Sequence, residues 1–187
     1  MLVVIKEKNN VHIAIDAWGS CDCLTSEDMI HEENLPLWHV ENVPNCLMAT
    51  TGINAFGYDL LRYRDHGLRT ALTPRNLLTK ICPKIKETLA EYGQLNAAGE
   101  SWGGILIARG NKAVHLYSDL SFFEIEESYA FGRDDEVARG VLLMTKGEPP
   151  LERIRKVYQT MEKTYKYRGF PAVVLSTASN ERTVLYE

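Results

Sequence analysis

The chain has 187 residues, 45% hydrophobic and 25% charged, which is the composition of one globular domain and excludes disordered, collagen-like and coiled-coil classes. The net charge of −4 supplies no basic field for phosphate backbones, so nucleic acid is not an expected partner. No apolar run approaches the roughly 18 residues of a membrane span, and the first residues show no signal-peptide pattern, so the expectation is a cytoplasmic protein without a membrane partner.

In chain order, Leu2-Val3-Val4-Ile5 is a continuous apolar run, Lys6 to Asn10 is a polar turn, and Val11, Ile13 and Ile15 alternate with His12, Ala14 and Asp16. That pattern predicts a β-hairpin. Cys21 and Cys23 stand one residue apart ahead of His31, Glu32 and Glu33, but zinc sites favour two to four intervening residues and a second pair. The segment reads as a polar loop, and no metal or cofactor is expected. With Cys46 and Cys82 the four cysteines are too few and too irregular for a disulfide framework.

Pro36-Leu37-Trp38-His39-Val40 reads as a short strand, and Ala49-Thr50-Thr51-Gly52 precedes a helix predicted at about 54–66. Thr73-Pro74 opens a second helix to about residue 92, which Pro83 should kink or divide. Ile105-Leu106-Ile107, the turn Arg109-Gly110-Asn111-Lys112, and Val114 and Leu116 form a second hairpin, which overlays the first at an offset of 103 residues with His115 on His12 and Asp119 on Asp16. Glu124, Glu126 and Glu127 fit the solvent face of an edge element.

Asp134 is a cap candidate for a helix to about Lys146, with Gly147 as its stop. After Pro149-Pro150, Leu151, Ile154, Val157, Tyr158, Met161 and Tyr165 recur at three- and four-residue spacing and make one apolar helix face. Lys156, Lys163, Lys166 and Arg168 suit a solvated face and the helix dipole. Ala172 to Thr177 reads as a closing buried strand. Strands followed by helices, twice over and without strict alternation, predict an α+β fold with two antiparallel sheets covered on both faces by helices, in a single domain spanning 1–187.

This order of elements resembles the N-terminal-nucleophile (Ntn) hydrolases, and within them the proteasome β subunit and the peptidase subunit of the bacterial two-component protease. The marks are the opening hairpin ending in Asp16, Ala49-Thr50-Thr51-Gly52, Trp102-Gly103-Gly104-Ile105-Leu106-Ile107-Ala108, and Tyr129-Ala130-Phe131-Gly132. The resemblance implies a four-layer αββα sandwich, assembly into a homo-oligomer, and catalysis by an N-terminal threonine whose own α-amine is the base. It places the nucleophile at Met1, the charged lysine at Pro36, the acid that pairs with that lysine at Asp16, and the oxyanion-hole N–H at Gly52. A supporting Gly-Ser-Gly turn is replaced by Gly132-Arg133-Asp134.

A thioether has no proton to lose, and proline carries no charge. The sequence therefore points to a proteasome-like subunit without the threonine mechanism, acting in structure or binding. One alternative is an amide or peptide hydrolase using the Met1 amine with Asp16, Gly52 and His12. Another is a small-molecule pocket walled by Trp18, Trp38 and Trp102, and a peptide or small molecule is the expected kind of ligand. Mid-strand histidines such as His12 and His115 read first as packed or surface residues.

Overall fold

The computed structural model describes residues 1–19, 28–29, 35–52, 60–132, 134–165 and 169–187. The cysteine pair at 21 and 23, His31, Glu32, Glu33, Phe56, Arg133, Lys166 and Arg168 lie outside the described residues.

The opening hairpin forms as expected, β1 (Leu2–Lys6) pairing antiparallel with β2 (Val11–Asp16) in the register Leu2↔Ile15 to Lys6↔Val11. A two-residue ribbon, β3 (Trp18–Gly19) with β4 (Asp28–Met29), follows. Next come β5 (Leu37–His39) and β6 (Cys46–Thr51). Residues 60–62 are helical, and 53–59 of the first expected helix are outside the described residues.

The second expected helix is divided in the manner proline chemistry demands. A short α1 (Pro74–Asn76), N-capped by the Thr73 side chain, runs into a π-helical segment Leu77–Ile81 and then α2 (Cys82–Glu91). Pro83 has no N–H for the carbonyl four residues back, and the Cys82 N–H reaches Leu77 O in the wider π spacing.

The second hairpin is β7 (Gly104–Arg109) with β8 (Lys112–Leu116), followed by β9 (Phe122–Ile125) and β10 (Ser128–Phe131). Helices α3 (Asp135–Met144) and α4 (Pro150–Tyr165) come next, then β11 (Ala172–Ser176). The chain closes with β12 (Ser179–Leu185), a strand the sequence reading did not contain.

Asp134 does not cap α3 through its side chain. It takes a left-handed backbone, φ 58°, whereas a capping residue is extended, and its side chain makes no capping hydrogen bond to the first turn. Gly147, at φ 91°, does supply the left-handed stop after α3. On α4, Ile154, Val157, Tyr158 and Met161 are buried as the periodicity requires, while Leu151 and Tyr165 at its ends are exposed.

The strands form two antiparallel five-stranded sheets, in the order β10-β1-β2-β11-β12 and β5-β6-β7-β8-β9. One buried cluster joins Leu2, Val4, Ile13 and Ile15 of the first sheet to Leu47, Ala49, Leu106 and Ala108 of the second. Another packs Met48, Ile107 and Val114 against Leu77, Ile81, Ile85 and Leu89. The third packs Val3, Ile5 and Ala14 against Ala138, Leu142, Ile154, Val157 and Tyr158. Alternate residues of β1 and β6 thus feed different clusters, which is why those strands read as unbroken apolar runs rather than half-polar ones. Among the described residues no helix is long and apolar enough to cross a membrane.

Candidate functional site at the start of the first strand

Strand β1 lies between β10 and β2, with Leu2 opposite both Phe131 and Ile15. One residue further out, the same register sets Met1 between Gly132 and Asp16. Gly132 takes a φ of 122°, a backbone conformation that favours glycine, and packs beside Met1, whose Cα would be 3.4 Å from a Cβ at this position.

Asp16 is 2% exposed, and its Oδ2 receives the α-ammonium of Met1. Helix α4 supplies a third contact, in which the Tyr158 hydroxyl donates to the Met1 carbonyl oxygen at 3.1 Å. Tyr158 is wholly buried, and desolvation, reinforced by the Asp16 carboxylate, pushes its phenol well above the ordinary value. It therefore stays a donor at any physiological pH. Beyond Asp16 the Ala17 N–H bonds Pro171 O at 3.0 Å, fixing the end of β2.

Of the residues singled out by sequence, Met1 and Asp16 come together, and His12 does not join them. His12 stands four residues along β2, about 13 Å at the usual strand rise. There its Nε2 lies 2.9 Å from Glu7 Oε2 and 3.1 Å from Asn10 Nδ2, beside the hairpin turn. Pro36 is buried between Leu35 and Leu37, both members of the cluster that joins the sheets, and offers only its carbonyl, which accepts the Thr50 N–H at 3.0 Å.

Gly52 follows β6 at φ 73°, where a Cβ would meet Trp102 O at 2.8 Å. A Cβ on Gly103 would in turn overlap Thr51 O. The ends of β6 and β7 thus cross backbone against backbone, and only glycine permits it.

Trp38 and Trp102 do not share a wall. Trp38 is buried in the cluster with Leu77 and Ile81, Trp102 is 66% exposed, and the side chain of Trp18 is outside the described part. A cavity of about 200 Å³ lies between Val40–Val43 and Arg62–Arg69, and another of about 540 Å³ lies against His39–Asn45 and Asn180. Neither is lined by Met1, Asp16 or Gly52. Among the described residues no cluster of three or more His, Cys, Asp or Glu could hold a metal ion.

No family model matches the chain, and no curated protein matches it. Solved structures do. Thiobacillus denitrificans BPH superposes with a TM-score of 0.70 at 16% identity, covering 94% of this chain and 96% of that one. Anbu (ancestral beta-subunit) from Yersinia bercovieri gives 0.69 at 12% identity, covering 100% and 87%. Eukaryotic HslV from Trypanosoma brucei gives 0.65 at 10% identity, covering 94% and 97%. All three have Ntn-hydrolase, proteasome-like folds. This chain has that fold, and at such identities the likeness extends to fold alone.

Proposed function

We propose that this chain is a proteasome-like subunit of the Ntn fold that lacks the threonine peptidase mechanism and serves as a structural or binding subunit of a homo-oligomer. Its layers are ordered αββα within one domain over 1–187. One observation carries the reading. The residue that opens β1, where the resemblance puts the nucleophile, is a methionine whose ammonium is ion-paired with Asp16. The resemblance puts the family's lysine at Pro36, which is buried and uncharged, and the cation beside Asp16 is the Met1 ammonium. Assembly is supported by the ancestral beta-subunit among the similar folds and by Leu143 and Met144, which stand 74% and 89% exposed at the end of α3.

Light scattering on the purified protein at micromolar concentration tests this reading. An oligomer is expected, and a monomer at every concentration would remove the assembly claim.

A second reading keeps chemistry at the same place, with the Met1 amine as base for amide hydrolysis and the Gly52 N–H as oxyanion donor. The amine's fixed position beside Asp16 favours it. Acetylating the α-amine should then abolish turnover of amide substrates, and an unchanged rate would refute it.

A further inference from the structure

Helix α3 buries one side and leaves the other uncovered. Ala138 and Leu142, four residues apart, lie in the cluster that packs on the first sheet, with Val137 and Val141 half-buried beside them. On the opposite side Glu136, Gly140, Leu143 and Met144 recur at three- and four-residue spacing. Leu143 is 74% and Met144 89% exposed, and among the described residues no other large hydrophobic side chain is as exposed as either.

Gly140 sits in the middle of that stripe. A glycine inside a helix weakens it relative to alanine, and nothing in the subunit calls for one here. Its backbone is helical rather than left-handed, and a Cβ there would meet nothing within 4 Å. The result is a bare patch of backbone flanked by two exposed apolar side chains. Since the distance between packed helices is set by the side chains at the contact, such a patch suits the close approach of another helix.

The charges on α3 select its partner. Glu136 is exposed in the first turn, and Lys146, 68% exposed, follows the last. A second copy of α3 laid antiparallel across Gly140 brings Glu136 of each copy beside Lys146 of the other and opposes the two helix dipoles. The same arrangement sets Met144 of each copy against Val137 of the other, because these positions lie at comparable distances along the axis on either side of Gly140. A parallel copy would instead set like charge on like charge. Lys146 bonds Glu127 of its own chain at 2.6 Å, and an ammonium has two further hydrogens to give.

We propose that two copies of this chain pair through α3, antiparallel about a two-fold axis at Gly140, with Leu143 and Met144 as the apolar contact and Glu136 with Lys146 as its polar border. The pairing rests on the homo-oligomer proposed above and assigns the surface on which two of its subunits meet.

The test places a thiol on the axis. A disulfide forms only where two Cα atoms come within about 7 Å, so oxidation of the intact Gly140→Cys protein should give a disulfide-linked dimer, mapped by mass spectrometry to the two substituted positions. Leu78→Cys is the control, at a residue 64% exposed on the helical segment that packs against the second sheet, and it should stay unlinked. Met144→Glu changes an exposed side chain and leaves the subunit core intact, and it should bring the mass read by light scattering to half that of the wild type or less. An oligomeric wild type with no link in Gly140→Cys, with equal linking in both cysteine variants, or with unchanged mass in Met144→Glu, would overturn the pairing and leave the assembly reading standing. A monomeric wild type would overturn both.

Discussion

The Tyr158 hydroxyl donates to the Met1 carbonyl oxygen at 3.1 Å across 157 residues of sequence, tying the first residue of the chain to the middle of the last helix. Together with the Met1 ammonium on Asp16, it holds the residue that opens β1 at both its amino and its carbonyl side. A residue clamped in this way serves the fold as a strut, whatever chemistry its neighbours perform.

Tyr158→Phe removes that hydroxyl and nothing else. We expect the protein to fold and to lose about 1–2 kcal/mol, the cost of leaving a buried carbonyl with one donor fewer. Urea unfolding followed by fluorescence measures it, and an unchanged midpoint would show that the hydrogen bond contributes nothing.

Asp16→Asn should cost more. Breaking a fully buried ion pair typically destabilises by about 3–5 kcal/mol. Here Asp16 is 2% exposed while the contact with the Met1 ammonium is only partly buried, so a loss of about 2–3 kcal/mol, toward the lower end of that range, is expected. The same denaturation experiment reads the loss, and a cost below about 1 kcal/mol would contradict a buried, charged N-terminus.

Much of the fold was legible because its signals are local. The hairpin β1–β2 shows apolar residues on both sides of a polar turn, and the π-helical break before Pro83 follows from one missing N–H. Strand β12 was not legible, since Ser179 to Thr183 are polar and largely exposed and pair only with β11, leaving no apolar alternation to read. Asp134 misled because capping depends on backbone angle, which residue type does not disclose. Within the site, Asp16 and the Met1 amine were both identifiable, through the resemblance, whereas Tyr158 looked like one more apolar position on a helix face. That the His115 imidazole lies over the bare backbone of Gly104 could not be read either, since the register pairs His115 with Leu106 and only the placement of its ring brings Nε2 there.

Stability should fall with acid through His115. Its folded-state pKa of about 4 lies below the ordinary 6.5, so between those values the unfolded chain binds more protons and unfolding becomes easier as pH drops. The stabilisation is fully present above about pH 6.5 and is lost toward pH 4, with a total on the order of 2 kcal/mol. Burial lowers His39 and His66 in the same direction. His115→Phe should flatten part of the pH dependence, and an identical slope in the variant would remove His115 from the account.

Arg153 is 4% exposed and donates to Leu142 O at 2.8 Å and to Ser128 Oγ at 3.2 Å, binding α4 to the end of α3 and to β10. Arg153→Ala should cost about 2–4 kcal/mol through the lost hydrogen bonds and the cavity left behind. Thermal unfolding checks this, and a shift of less than about 1 °C would mean that the guanidinium does not hold these elements together.

We propose that the start of β1 keeps the proteasome-like frame without its nucleophile. Intact mass after incubation of the native protein with a peptide epoxyketone, followed by mapping of the peptide that begins at Met1, tests it most directly. An unmodified peptide is the expected result, because Met1 brings an amine but no hydroxyl to the warhead. A single stoichiometric adduct on that peptide would contradict the account and return the site to the amide hydrolases.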